Sequence, residues 1–206
     1  MQKFDNLDDY IADLKKKQEA SPTCSNTRYN LGVAYLAKRD FMEAEREFLA
    51  AIDESPKMAE AYVQLGGIAM QRGDLDGCLR YNISATQQRP FFAVPWGNIG
   101  YVYMQQGEVD KAIKALKRAV KYDPNFIQAL STLGSAYYNE GEIDDCMEVC
   151  EKALKLEENF GPAWNNLALC YVEKKDYKKA VECVDKAIKT GFEVSADFLK
   201  ELEQYR

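Results

Sequence analysis

Residues 93–126 read AVPWGNIGYVYMQQGEVDKAIKALKRAVKYDPNF. In the first half, Trp96, Ile99, Gly100 and Tyr103 recur at intervals of three and four and line one face of a helix. Gly107 suits the left-handed conformation that ends a helix. Glu108 follows, placed to cap the next helix or favour its dipole. Ala112, Leu116, Ala119 and Val120 make a second apolar stripe, and Tyr122-Asp123-Pro124-Asn125 stops it. The stretch predicts a helical hairpin.

The same pattern recurs on both sides at a period of 34 residues. Pro22, Pro56, Pro90 and Pro124 keep that interval, as do Gly32, Gly66, Gly100 and Gly134. Ala51, Ala85, Ala119, Ala153 and Ala187 run in phase, with Leu31, Leu65, Ile99, Leu133 and Leu167. Tyr35, Tyr103, Tyr137 and Tyr171 form a further ladder, broken by Ala69. A fixed period of this size means an array of one repeated unit. An interior glycine costs about 1 kcal/mol of helix propensity, so the glycine ladder needs a packing reason. Its missing side chain lets the partner helix approach, and Ala44, Cys78, Ala112, Cys146 and Ala180 do the same on the second helix. Asp40, Asp74, Glu108, Glu142 and Asp176 recur at the turn between helices, consistent with helix starts.

Composition narrows the function classes. The chain of 206 residues carries a net charge of −6, which gives no general attraction to nucleic acid or an anionic membrane. No apolar run approaches the roughly 20 residues of a membrane helix. The opening MQKFDNLDDY lacks the basic-then-apolar order of a signal peptide, so a cytoplasmic location is expected. Six cysteines in that setting read as reduced thiols. The absence of histidine removes His-dependent triads, His metal ligands and imidazole bases from this chain. No phosphate loop or nucleophile motif is present. Neither an enzyme, nor a cofactor, nor a metal is expected.

The order aromatic, Leu, Gly, Tyr, Ala, large apolar, Ala, Pro resembles the tetratricopeptide repeat family, here as Trp96, Ile99, Gly100, Tyr103, Ala112, Leu116, Ala119 and Pro124. The resemblance implies an all-α fold, a right-handed α-solenoid of five helical hairpins with N- and C-terminal capping helices. The repeats are placed at 25–58, 59–92, 93–126, 127–160 and 161–194, with caps at 1–24 and 195–206. Tyr10, Ile11 and Leu14 are expected to cover the first hairpin, and Phe198, Leu202 and Tyr205 the fifth. Departures fall in the terminal copies, as expected where one face lacks a neighbour. Arg28 replaces the aromatic of the first copy, Ala168 replaces glycine in the last, and Glu158 and Phe192 stand at the last two proline positions.

The resemblance also implies that the first helix of each hairpin lines a concave groove. Asn30, Gln64, Asn98, Thr132 and Asn166 are then inward at successive steps. An amide carries a donor and an acceptor and can bond both groups of a peptide backbone. The alternative is that these amides satisfy neighbouring backbone or water. Flanking candidates for the groove are Tyr29, Val33, Val63, Met70, Tyr101, Met104, Gln105, Tyr138, Asn165 and Leu169, with Leu36, Gln71, Ser131 and Glu173 beside them. This surface is aromatic, Met and amide, with little charge. It lacks the inward Lys and Arg by which chaperone-docking members of the family hold a terminal carboxylate. Trp96, Trp164, Tyr103 and Tyr137 are assigned to the core.

The expected function is therefore a non-catalytic adaptor that binds a peptide or helix of another protein in its groove. Nucleic acid and direct membrane insertion are not expected. The alternative is a self-assembling, homo-oligomeric scaffold that organises a membrane- or organelle-associated complex, as magnetosome-type repeat scaffolds do. Cys146, Cys150, Cys170 and Cys183 lack tight Cys-x-x-Cys pairs and read as small buried hydrophobes, while Cys24 has no assigned role. Lys111, Lys114, Lys117, Arg118 and Lys121 make one second helix basic, and Lys174, Lys175, Lys178, Lys179, Lys186 and Lys189 repeat this later. A solvated outer face is the expected role, and a contact for an acidic partner is the alternative.

Overall fold

The computed structural model describes residues 6–206. Among them are twelve α-helices and no strand. They are α1 (Leu7–Ala20), α2 (Ser25–Ala37), α3 (Phe41–Glu54), α4 (Ala59–Gln71), α5 (Leu75–Gln88) and α6 (Ala93–Gln105). The second half continues with α7 (Val109–Tyr122), α8 (Ile127–Asn139), α9 (Ile143–Leu156), α10 (Gly161–Glu173), α11 (Tyr177–Lys189) and α12 (Ala196–Leu202). A 3-10 turn at Glu203–Tyr205 follows. Residues 1–5 of the expected N-terminal cap lie outside the described residues. The chain divides into two compact units, 1–95 and 96–206, so that α6 straddles the division.

Each helix pair is built by the same local chemistry. The position before each second helix is acidic, and Asp40, Asp74 and Asp176 accept a hydrogen bond from the backbone N–H three residues on. Glu108 and Glu142 occupy the same cap position without a side-chain bond, since one more methylene carries the carboxylate past that N–H. The residue before the cap is left-handed in every copy. Gly73, Gly107 and Gly141 fill it at φ near 76, 75 and 79°, and Arg39 and Lys175 fill it at φ 60 and 59°. The first and last hairpins thus keep the turn while giving up the residue that adopts it without strain.

In the first unit, α1 packs on α2, α2 on α3, α3 on α4 and α4 on α5. Its core includes Ile11, Leu14, Leu31, Tyr35, Phe48, Leu65 and Ile68. Gly32 shows why that ladder exists: a Cβ there would lie 2.6 Å from the ring of Phe48, which is fully buried. Ile11 and Leu14 of α1 are buried in this core, 6% and 4% exposed.

This core also carries charge. Glu47, 4% exposed, accepts from Gln18 Nε2 of α1 at 3.2 Å and from Arg46 at 3.1 Å. Arg28, in place of the aromatic, stands 3.5 Å from the same carboxylate. Asn82 is also fully buried, at the repeat position of Phe48 and Leu116, and its Nδ2 donates to the Cys78 carbonyl at 2.8 Å.

The second unit's core runs through Leu116, Leu130, Leu133, Tyr137, Cys146, Cys150, Leu167, Cys170, Val184 and Leu202. Trp96, Tyr103 and Trp164 are partly buried against it. Ala168 stands, fully buried, where earlier copies have glycine, and Val184 holds the matching position of α11. α12 ends earlier than the stripe Phe198-Leu202-Tyr205 suggests. Leu202 is 1% exposed, whereas Tyr205 lies in the 3-10 turn and stacks on Tyr177 at 3.9 Å between ring centroids.

Candidate functional site

The groove residues expected from the sequence lie on the first helices of the hairpins, and each unit is described separately. In the first unit, Asn30 and Val33 of α2 are exposed, Val33 at 40%. Tyr29 is half-buried and tilts against Phe48 at 5.6 Å between centroids, so much of its ring belongs to the core. Val63, Gln64 and Met70 of α4 are half-buried.

In the second unit, three of the expected residues converge. Asn98 and Tyr101 of α6 and Thr132 of α8 line one small cavity of about 120 Å³, with Gly97, Phe126, Gln128 and Ala129. Its wall is close because Gly97 has no side chain; a Cβ there would meet the Phe126 ring at 2.6 Å. Tyr101 is 44% exposed at its edge. Thr132 donates its hydroxyl proton to the Gln128 carbonyl one turn back, at 2.8 Å, leaving the hydroxyl oxygen as an acceptor. The lining carries no charged side chain. Gln105 is exposed, and Met104, Asn165 and Leu169 are half-buried.

The amide column is not uniform. Asn166 is 6% exposed, and its Nδ2 donates to the Ser131 carbonyl at 3.1 Å and to Ser135 Oγ at 2.9 Å. This amide joins α10 to α8 and has neighbouring backbone as its partner. Ser131 is itself buried. Tyr138 donates to Glu173 Oε1 at 3.2 Å, and the two line a second cleft with Asn139, Glu140, Gly141 and Ile143. Burial, then the Glu173 carboxylate, raises the Tyr138 hydroxyl above the usual tyrosine range.

A third cleft, of about 400 Å³, lies among α9, α10 and α11, where Trp164, Leu167, Tyr171 and Leu154 meet Lys155, Lys179, Lys186 and Glu151. Neither the sequence pattern nor the repeat frame announced it. Lys179 lies 5.2 Å over the Tyr171 ring and Lys186 4.1 Å over Trp164. Trp164 Nε1 donates to the Glu158 carbonyl at 2.7 Å.

The thiols behave as buried groups. Burial pushes Cys78 and Cys183 up to about 11. Cys146 is pushed up to about 12, first by its hydrogen bond with Cys150. Cys170 is raised by its hydrogen bond with Cys146 and by burial. Cys24, at the start of α2, is lowered instead, because the Thr27 side chain and backbone hydrogen-bond its sulfur. Among the described residues no group of three or more Cys, Asp or Glu side chains could hold a metal ion. No described helix is long and apolar enough to cross a membrane.

Tetratricopeptide repeat family models match residues 29–77, 127–160 and 161–190, and a TPR repeat model matches 100–141. The chain belongs to the tetratricopeptide repeat family. No curated protein matches it. Among solved structures it is similar to YrrB, described as a TPR protein with an unusual peptide-binding site, at a TM-score of 0.74 and 18% identity over 93% of this chain and 97% of that one. It is similar to MamA at a TM-score of 0.68 and 25% identity, over 78% and 94% of the two chains. Within the Cut9–Hcn1 complex of the APC/C, a chain matches at a TM-score of 0.80 and 17% identity, covering 96% of this chain and 40% of that one. The likenesses to YrrB and Cut9–Hcn1 establish the fold, an all-α tetratricopeptide solenoid.

Proposed function

We propose that the chain is a non-catalytic adaptor whose first-helix faces hold a segment of another protein, and that the second unit contains the anchoring step. The observation that carries this is the cavity where Asn98, Tyr101 and Thr132 meet over Phe126. Its volume of about 120 Å³ fits one side chain rather than a small-molecule ligand, whose pockets run to about 300–1,000 Å³. An uncharged rim of amide, hydroxyl and phenol suits a peptide backbone passing over it, with one apolar side chain inserted. The lack of cations there fits an internal stretch of chain better than a terminal carboxylate. That YrrB has a peptide-binding site supports the same reading by likeness of fold.

The test is selection of binders from a displayed library of random peptides, followed by titration of the selected peptides. Tyr101→Ala and Asn98→Ala are expected to weaken binding about tenfold each, with helicity by circular dichroism unchanged. Selected peptides that bind both variants as well as the parent chain would remove this site from the proposal.

A further inference from the structure

The second helix of the third hairpin, α7, has a feature that neither its fold nor the groove explains. Lys111, Lys114, Lys117, Arg118 and Lys121 are all exposed, on a helix whose other charged residue is Asp110. Their spacing of three and four puts them along one face, over about 15 Å of helix. Like charges at that spacing disfavour a helix, and Lys111 stands in the first turn, where the dipole disfavours a cation. The repeat frame does not demand them. One repeat later, on α9, the positions of Lys111, Lys114 and Lys117 are held by Asp145, Glu148 and Glu151.

Internal partners neutralise the stripe only in part. Lys111 lies 3.2 Å from Glu108, with both side chains at least half exposed. Arg118 lies 4.5 Å over Trp96, and Lys117 lies 5.2 Å over Tyr137. Aromatic faces fix the positions of these two cations, and Glu142 and Asp145 lie near enough to Lys117 to act on its charge. Lys114 and Lys121 have no carboxylate partner among the described residues. The result is a row of cations, three of them resting on rings, in a chain of net charge −6.

We propose that the exposed face of α7 docks a short acidic segment of a partner protein, three or four carboxylates presented at helical spacing. The acidic side chains of neighbouring α9 limit what fits. A continuous line of phosphates or an anionic bilayer would extend over Asp145, Glu148 and Glu151, whereas a short acidic helix is confined to α7. This surface lies on a second helix of a hairpin and does not depend on the groove.

A fluorescein-labelled helical peptide with four Glu spaced to face α7 is titrated into the full chain by anisotropy at about 150 mM salt, where longer-range attraction is screened. Saturable binding is expected, weakened about tenfold or more by Lys114→Glu with Lys121→Glu. A Lys152→Glu, Lys155→Glu variant on α9, and Tyr101→Ala in the groove, are expected to bind the peptide as the parent does. Circular dichroism reports whether each variant folds. If the double Glu variant does not, Lys114→Gln with Lys121→Gln takes its place. No saturable binding, equal loss in the α9 variant, or tighter binding to duplex DNA or phosphatidylserine vesicles than to the peptide overturns the proposal. Loss through Tyr101→Ala would assign the peptide to the groove and overturn it too.

Discussion

The two units share one repeat frame and fill it differently. In the first, polar groups enter positions that the frame reserves for apolar ones: Arg28 stands where the aromatic belongs, Glu47 is buried beside it, and Asn82 replaces a large hydrophobe. In the second, the matching core positions hold Leu116, Cys150 and Val184. The repeated hairpin therefore tolerates a wide choice of side chains where helices meet, provided that each volume and each hydrogen bond is matched by a neighbour. Phe48 needs Gly32, where a Cβ would lie 2.6 Å from its ring.

The sharpest way to break this comparison is truncation at one repeat position in both units. Phe48→Ala is expected to cost about 3–5 kcal/mol, and Val184→Ala about 2 kcal/mol, read by urea denaturation. Equal costs would mean that the side chain's volume is not what distinguishes the copies. Thiol reactivity separates the units next. At about pH 8, Cys24 should alkylate roughly a hundredfold faster than the buried Cys78, Cys146 and Cys183, because it is only half-buried and its sulfur is hydrogen-bonded as thiolate. Mass spectrometry of the first modified peptide decides this, and labelling that begins within 96–206 would contradict it.

The charged core of the first unit should be a coupled device. Arg28→Met alone is expected to cost about 2 kcal/mol, since Glu47 keeps only Arg46 and Gln18. Adding Glu47→Leu should recover most of that loss, and strict additivity in the double-mutant cycle would show the pair to be uncoupled. Smaller still, Arg39→Gly and Lys175→Gly should each stabilise by about 1 kcal/mol, because both hold a left-handed conformation that glycine adopts freely. Last, Glu108→Asp and Glu142→Asp should gain about 0.5 kcal/mol each by completing the cap bond that Asp40, Asp74 and Asp176 already make. No gain in melting temperature would place the missing bond elsewhere than in side-chain length.

Much of the architecture was legible because its signals are local. Helix starts at acidic caps, turns at Gly107 and its relatives, and apolar stripes at three-and-four spacing need only a few neighbouring residues to be read. The site was legible in part. The column containing Asn98 and Thr132 could be placed on helix faces, and Asn98, Tyr101 and Thr132 do meet around one cavity. Asn166 occupies the same repeat position, yet its amide bonds Ser131 and Ser135, because Ser135 offers a hydroxyl there. No single-helix pattern distinguishes those outcomes, since the deciding partner is about one repeat away along the chain.

By itself, then, the sequence determined the repeat, the helices, the turns and the family. Each of those follows from propensity and periodicity within about 34 residues. Tertiary structure alone decided which first-helix residues meet at a cavity the size of one side chain, that Glu47 has Arg28, Arg46 and Gln18 as partners, that five cysteines are buried and one is not, and that three cations of α7 rest on rings. Those outcomes depend on what packing brings from other helices to a side chain, and distance along the chain carries no record of that.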